Sequence, residues 1–314
     1  MYRAAAFSTN TKRSYSTHYR SYLKFCNELA VQPVPASPAL VAQYAAFLAR
    51  RLKPSSVKQY LNIVRIMHVE CGLPDPCNGS WLIKSTLKGI ERTFGNPTSR
   101  KAPVNPQLLL QIRQFLDLKD ITDVMFMAAC LVMFFGTFRK SNLMCNSVGL
   151  FSSRKQFIRS DFVQLGDRSI KTVVKWSKTI QAQERSFIVK LPYLGDHPLC
   201  PVSALGSAFK LVPLPDEAPA FVTTLDGTPM TAGQFERKFQ ALVAMCGYNK
   251  KDFSGHSFRR GSACWALQCG VPGEIVQQMG DWKSNAYLVY LDKLPQSVHD
   301  KYLKLFSDSL PSAL

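Results

Sequence analysis

The sequence predicts a mainly α-helical chain with a small antiparallel β-sheet, split between an N-terminal helical bundle and a larger C-terminal domain. Three observations carry this. Apolar residues recur at helical spacing along most of the chain. Strand-like runs are confined to the stretch between Phe162 and Leu191. A single Gly/Pro/Ser-rich segment, Gly95 to Pro103, breaks the pattern where a linker belongs.

The first domain is read as four amphipathic helices over residues 1–95. Thr11 to Leu29 carries Tyr15, Tyr22, Phe25 and Cys26 among basic positions. Ala39 to Leu52 follows Ser37-Pro38, a start signal because proline suits the first helical turn. Pro54 opens a third helix that Gly72 and Pro74 stop, and a fourth runs from about Ser80 to Phe94. Four short helices of this kind make a compact bundle. A linker is expected over 96–105, and the second domain over 106–314. That domain opens with helices at Pro106 to Leu118 and Thr122 to Phe135. Phe162 to Leu165, Ile170 to Trp176 and Ser186 to Leu191 then read as strands, with Gly166-Asp167 as a tight turn and Ser177 to Gln183 as a longer polar one. Further helices are expected at Pro201 to Val212, Thr231 to Cys246, His256 to Cys269, Pro272 to Met279, Asn285 to Leu291 and Ser297 to Leu305.

Composition narrows the class of partner. Lys and Arg number 39 against 21 Asp and Glu, a formal charge of +18, which favours a polyanion, nucleic acid above all. The basic residues are spread along the chain, so a broad docking surface fits better than a charged tail; acidic lipid is the alternative polyanion. Arg13, Arg20, Lys58, Arg65, Lys88, Arg100 and Lys101 are the candidate DNA contacts. Hydrophobic residues make up 46%, enough for an ordinary core. No apolar run reaches the roughly 18 residues of a membrane span, and Met1 to Asn10 lack the apolar core of a secretory signal. A soluble, intracellular protein is expected. The nine cysteines are odd in number and irregularly spaced, as reduced thiols would be. His68, Cys71 and Cys77 lie close in sequence but lack a second ligand pair, so no metal site is expected.

Four segments carry the chemistry. They are Gly136-Thr137-Phe138-Arg139-Lys140-Ser141-Asn142-Leu143, Lys178 in the polar turn, His256-Ser257-Phe258-Arg259-Arg260-Gly261, and Gly280-Asp281-Trp282 running on to Tyr287 and Tyr290. An H-x-x-R step puts both side chains on one helix face, near an N-terminus whose N–H groups and dipole favour an anion. Alone, such a pair is more often a capping histidine and a solvated arginine.

The ordered set R…K…H-x-x-R…G-x-W…Y resembles the catalytic signature of the tyrosine recombinases, the phage integrase family. The N-terminal run from Ser8 through Arg13, Tyr15, Tyr22 and Phe25 is similar to the core-binding domain (SAM-like) of that family, so the resemblance spans nearly the whole chain. The wording around Ser177-Lys178-Thr179 and Trp282 to Tyr287 looks most like eukaryotic mobile-element recombinases of the Crypton, DIRS and Ngaro type. Bacterial members carry an acidic residue where Asn142 stands, which implies a differently built support for Arg139.

The resemblance implies a site of Arg139, Lys178, His256, Arg259, Trp282 and Tyr290. The arginines would clamp the phosphate oxygens, a task suited to their planar forks. His256 would hydrogen-bond the same phosphate and help take the tyrosine proton, and Trp282 would donate its indole N–H or pack the site closed. Lys178 would be the general acid. Tyr290 would attack to give a 3′-phosphotyrosine and a free 5′-hydroxyl; Tyr287, one turn earlier, is the rival nucleophile. The resemblance further implies no cofactor or metal, double-stranded DNA held in a C-shaped clamp, four protomers on paired sites exchanging strands through a Holliday junction, and integration or excision of a mobile element. No membrane or small-molecule partner is expected, and a eukaryotic origin would imply the nucleus. A helix at Ser297 to Leu305 would either dock on a neighbouring protomer or close its own domain. Against this stand a DNA-binding protein that has lost cleavage, a type IB topoisomerase, and a generic RNA-binding protein, the last giving no reason for the ordered residue set.

Overall fold

The computed structural model describes residues 6–95, 100–177, 180 and 185–282. The chain falls into two compact units, 1–99 and 100–314.

In the first unit four helices form where local signals place them: α1 (Thr9–Glu28), α2 (Pro38–Ala49), α3 (Pro54–Glu70) and α4 (Trp81–Phe94). The hydroxyls of Ser8, Ser37 and Ser80 each accept a backbone N–H of the first turn, and prolines open α2 and α3. Such caps satisfy donors that the helix itself cannot. Tyr22, Phe25, Tyr44, Leu48, Val57, Leu61, Val64, Ile83 and Ile90 form the core. His68 belongs to this core. Its Nε2 accepts the Ala36 N–H at 2.7 Å, so its Nδ1–H donates to the Val64 carbonyl, also at 2.7 Å. Both ring nitrogens are therefore spent on backbone.

The second unit is built on α6 (Ile121–Phe135), whose residues from Val124 to Phe134 are all buried. That explains an apolar composition without polar face: a helix surrounded by protein needs none. Packed around it are α5 (Pro106–Gln114), α8 (Pro201–Leu211), α9 (Ala232–Met245) and α10 (Gly255–Gln268), followed by the short α11 (Gly273–Met279). Between α6 and β1 lies a single helical turn, α7 (Lys140–Leu143). The sheet has the order β1 (Phe162–Gln164), β2 (Ile170–Val174), β3 (Phe187–Leu191), with both pairs antiparallel. Ile170, Thr172 and Val174 alternate inward along β2, and Val189 and Leu191 do so on β3. The β1–β2 turn closes through Leu165 N–H to Ser169 O at 2.8 Å, with Arg168 at φ 64° and Asp167 bonding Ser169.

Two expectations shift. α5 ends at Gln114 rather than Leu118, because Asp117 starts a turn of its own: its N–H donates to Asp123 and its carboxylate accepts from Lys119. The segment read as linker over 96–105 is fastened to the second unit from Arg100 onward. The Ala102 N–H donates to Asp252 O, the Val104 N–H to Ser257 O, and the Val104 side chain is buried in the core. Among the described residues no helix is long and apolar enough to cross a membrane. All nine cysteines are free thiols.

Candidate active site

The sequence places Arg139 just past the buried helix α6, and the chain must turn sharply to bring it out. Gly136 ends the helix, and the Phe138 ring lies over it so closely that a Cβ there would come within 2.1 Å of a ring carbon. Thr137 adopts φ 54°, a left-handed conformation, and its hydroxyl meets that of Ser262 on α10 at 2.9 Å. Arg139 then caps α7, its N–H donating to Asn142 Oδ1 at 3.1 Å.

Helix α10 starts at Gly255 with Ser254 as its cap, accepting the His256 N–H at 3.3 Å. His256 sits at the open edge of this helix end. Partial loss of water, then the positive charges of Arg259, Arg139 and Arg260, hold its imidazole below the ordinary histidine range. Arg259 lies one turn along α10 from His256, and Arg139 lies two residues past Thr137, whose carbonyl holds Arg259.

Arg259 is 4% exposed. Its Nη1 donates to the Thr137 carbonyl at 2.7 Å and its Nη2 to the Gly280 carbonyl, while its guanidinium carbon lies 4.2 Å from the centre of the Trp282 ring. Trp282 therefore stacks on the arginine, a cation–π contact. Trp282 is held by its backbone N–H to Gln277 O at 3.1 Å and by packing on Ala263, Ala266 and Val276. Its ring covers Gly280, where a Cβ would come within 1.9 Å of a ring carbon, so glycine is required. Arg259 is aimed and held, and its charge stands beside a helix N-terminus.

The structure therefore brings Arg139, His256, Arg259 and Trp282 to one place. Lys178, Tyr290, Tyr287 and the helices expected at Asn285 to Leu291 and Ser297 to Leu305 lie outside the described residues. Flanking Lys178, Ser177 and Ile180 are buried and exchange backbone hydrogen bonds of 3.3 and 3.1 Å. Of the candidate DNA contacts, Arg13, Arg20, Lys58, Arg65, Lys88 and Arg100 are exposed. Lys58 pairs with Glu91 at 2.7 Å, and Lys101 is docked on the Lys251 carbonyl.

Several supports were not read from the sequence. Glu236 on α9 accepts from Lys140 Nζ at 2.7 Å and from the Gly255 N–H at 3.2 Å, joining the residues next to Arg139 and His256. Arg260 is buried and donates to the Lys101 carbonyl. Asp281 pairs with Arg185, two residues before β3. The Arg-Arg-Gly run at 259–261 was the one available signal, since two adjacent arginines on a helix point to different surroundings. Among the described residues no group of His, Cys, Asp and Glu is placed to hold a metal ion.

No family model matches the chain. A curated relative, the integrase/recombinase xerD homologue of Selenomonas ruminantium, is 22% identical over 282 residues, covering 88% of this chain and 79% of the relative. Among solved structures, the Tn1549 transposon integrase in complex with transposon right end DNA matches 96% of this chain and 95% of its own, at 13% identity and a TM-score of 0.64. The XerH site-specific recombinase bound to palindromic difH substrate matches 92% and 78%, at 14% identity and 0.65. A lambda integrase dimer bound to a COC′ core site matches 91% and 89%, at 14% identity and 0.61. The likeness in structure establishes a shared fold along nearly the whole described chain.

Proposed function

We propose that this chain, which has the tyrosine recombinase fold and is similar along most of its length to an integrase/recombinase homologue, is an enzyme that cuts and rejoins double-stranded DNA at specific sites through a covalent 3′-phosphotyrosine. The observation that carries the reading is the seat of Arg259. Three residues spread from 137 to 282, Thr137, Gly280 and Trp282, are drawn around one guanidinium, fixed by two carbonyls and an indole.

The chemistry follows from the parts. A phosphodiester resists attack because it is anionic and its alkoxide is a poor leaving group, so the barrier to be removed is very large. Arg139 and Arg259 neutralise the charge that grows on the non-bridging oxygens. The Tyr290 phenol oxygen attacks phosphorus as the bond to the 5′-oxygen breaks. Its proton passes to His256, at the N-terminal end of α10 one turn from Arg259. Lys178 gives the departing 5′-oxygen its proton. The phosphotyrosine keeps the bond energy, so religation is the same sequence in reverse. In this reading the natural reaction integrates or excises a mobile element, with four protomers on paired sites.

Covalent trapping tests it. Nicked duplexes from the DNA flanking the gene are incubated with wild type, Tyr290→Phe and Tyr287→Phe proteins and run on denaturing gels. An adduct lost only in Tyr290→Phe is expected. An adduct lost only in Tyr287→Phe moves the nucleophile one turn back. No adduct, with tight salt-sensitive binding of the same DNA, points to a binding protein without cleavage.

A further inference from the structure

Two neighbouring residues at the end of α11 run against what their backbone asks for. The helix closes in a Schellman turn. The Asp281 N–H donates to the Gln278 carbonyl at 3.0 Å and the Trp282 N–H to the Gln277 carbonyl at 3.1 Å, with Trp282 packed on Val276. The left-handed residue of such a turn is usually glycine, because a Cβ strains that conformation. Here it is Asp281, at φ 50°, while the glycine, Gly280, stands one position earlier at an ordinary φ of −91°. The Trp282 ring lying over Gly280 accounts for the glycine. Asp281 is accounted for by its side chain, which is 8% exposed and pairs with Arg185, two residues before β3. The residues on either side of Asp281 both hold Arg259, Gly280 by its carbonyl and Trp282 by its ring. Backbone strain of this kind persists where the surroundings overdetermine it, and it clusters at functional sites.

We propose that Asp281 is a positioning residue for Arg259: by pairing with Arg185 it fixes the turn that sets both the Gly280 carbonyl and the Trp282 ring. The inference rests on the recombinase reading above. Glycine at position 281 would suit the left-handed backbone better, but it would give up the tie to Arg185. The pair has a second consequence. In that reading Arg259 holds the scissile phosphate, and a carboxylate two residues along from Gly280's neighbour ring would repel the anion unless its charge were matched. Arg185 matches it. Loss of Arg185 leaves a buried carboxylate without that countercharge, which is worse than loss of the carboxylate's own charge.

Wild type is compared with Asp281→Gly, Asp281→Asn, Arg185→Gln and the double variant Asp281→Asn/Arg185→Gln. Single-turnover adduct formation at saturating nicked duplex and melting temperature are measured. The fluorine resonance of Trp282 is followed in protein carrying fluorotryptophan, and is assigned through Trp282→Phe. Asp281→Gly is expected to melt within about 3 °C of wild type or above it, because glycine relieves the backbone. It should nevertheless cleave about 10–100-fold more slowly, the cost of a clamp displaced by up to about 1 Å. Asparagine also tolerates the left-handed backbone, so Asp281→Asn should show the same split between rate and stability. Arg185→Gln should be slower than Asp281→Asn, and the double variant should return to within about threefold of Asp281→Asn, because the two residues act through one contact. In both Asp281 variants the Trp282 resonance should move while those of Trp81, Trp176 and Trp265 stay. The proposal is overturned if the Asp281 variants cleave at the wild-type rate, or if they lose rate only together with more than about 3 °C of melting temperature. It is overturned too if the double variant is slower than either single one, or if the Trp282 resonance does not move. A wild type that forms no adduct refutes the recombinase reading instead, and the resonance then decides by itself whether Asp281 sets the turn.

Discussion

Arg259 shows how much of a buried residue's setting is fixed by groups with no sequence identity. Its partners are the carbonyls of Thr137 and Gly280, which any residue could supply, so only the H-x-x-R spacing and the nearby tryptophan made it visible beforehand. Arg139, His256 and Trp282 were legible in the same way, from their order. Asn142 stood out only as a departure from the family, and the bonds it makes could not be read from spacing. Arg259→Lys should lose the fork that spans both carbonyls, lowering the rate of adduct formation by about 10²–10³-fold. A rate within threefold of wild type would refute the clamp role, by about the margin set for a non-essential contact. His256 gives a second test. Partial burial and three arginines lower its pKa in the free protein. A bound phosphodiester adds negative charge beside those arginines, so the pKa should rise on DNA binding. NMR titration of the imidazole with and without DNA would measure this, and an unchanged pKa would place His256 away from the phosphate. For stability the sign is opposite to that of a salt-bridged histidine. The unfolded chain takes up the proton first, so this group's effect is absent above about pH 6.5 and costs stability as pH falls below it.

At the scale of elements, the helices of the first unit were readable because their signals are local. Serine caps, prolines in the first turn and apolar spacing act within a few residues. Boundaries set by tertiary contact were not readable. Nothing in the composition of Arg100 to Val104 separates a free linker from a segment pinned by Asp252, Ser257 and Arg260. The single-turn α7 was missed because four residues carry no periodicity. Gly261 marks where α10 meets the pinned segment. A Cβ there would lie 1.8 Å from the Val104 carbonyl oxygen, and a backbone atom cannot swing aside. Gly261→Ala should cost about 1–3 kcal/mol or more, the range for overpacking. Chemical denaturation would measure it, and an unchanged midpoint would mean that the two segments do not touch in solution.

For the whole molecule, a charge of +18 makes binding to a polyanion depend on released counterions, so affinity should fall steeply with salt. Each phosphate contact removed should reduce the slope of log K against log salt by about 0.9. Lys88 is exposed, whereas the ammonium of Lys58 is already paired with Glu91. Lys88→Ala should therefore flatten the slope by nearly one contact, and Lys58→Ala by less. Anisotropy titrations across a salt series would decide it; equal slopes in wild type and Lys88→Ala would remove Lys88 from the interface. The net charge was legible at a glance, but which cations were already neutralised was not, because Glu91 lies 33 positions from Lys58.

The pinning of Arg100 to Val104 also bears on how this architecture could be re-engineered. The Val104 N–H bonds the Ser257 carbonyl, inside the very turn of α10 that presents His256 and Arg259. A chimera that exchanges the first unit for another would have to be spliced upstream of Arg100, leaving that strap with the helix it is bonded to. A junction placed a few residues later would replace the backing of α10 along with the first unit, and a graft meant to exchange one unit would disturb the setting of His256 and Arg259 in the other.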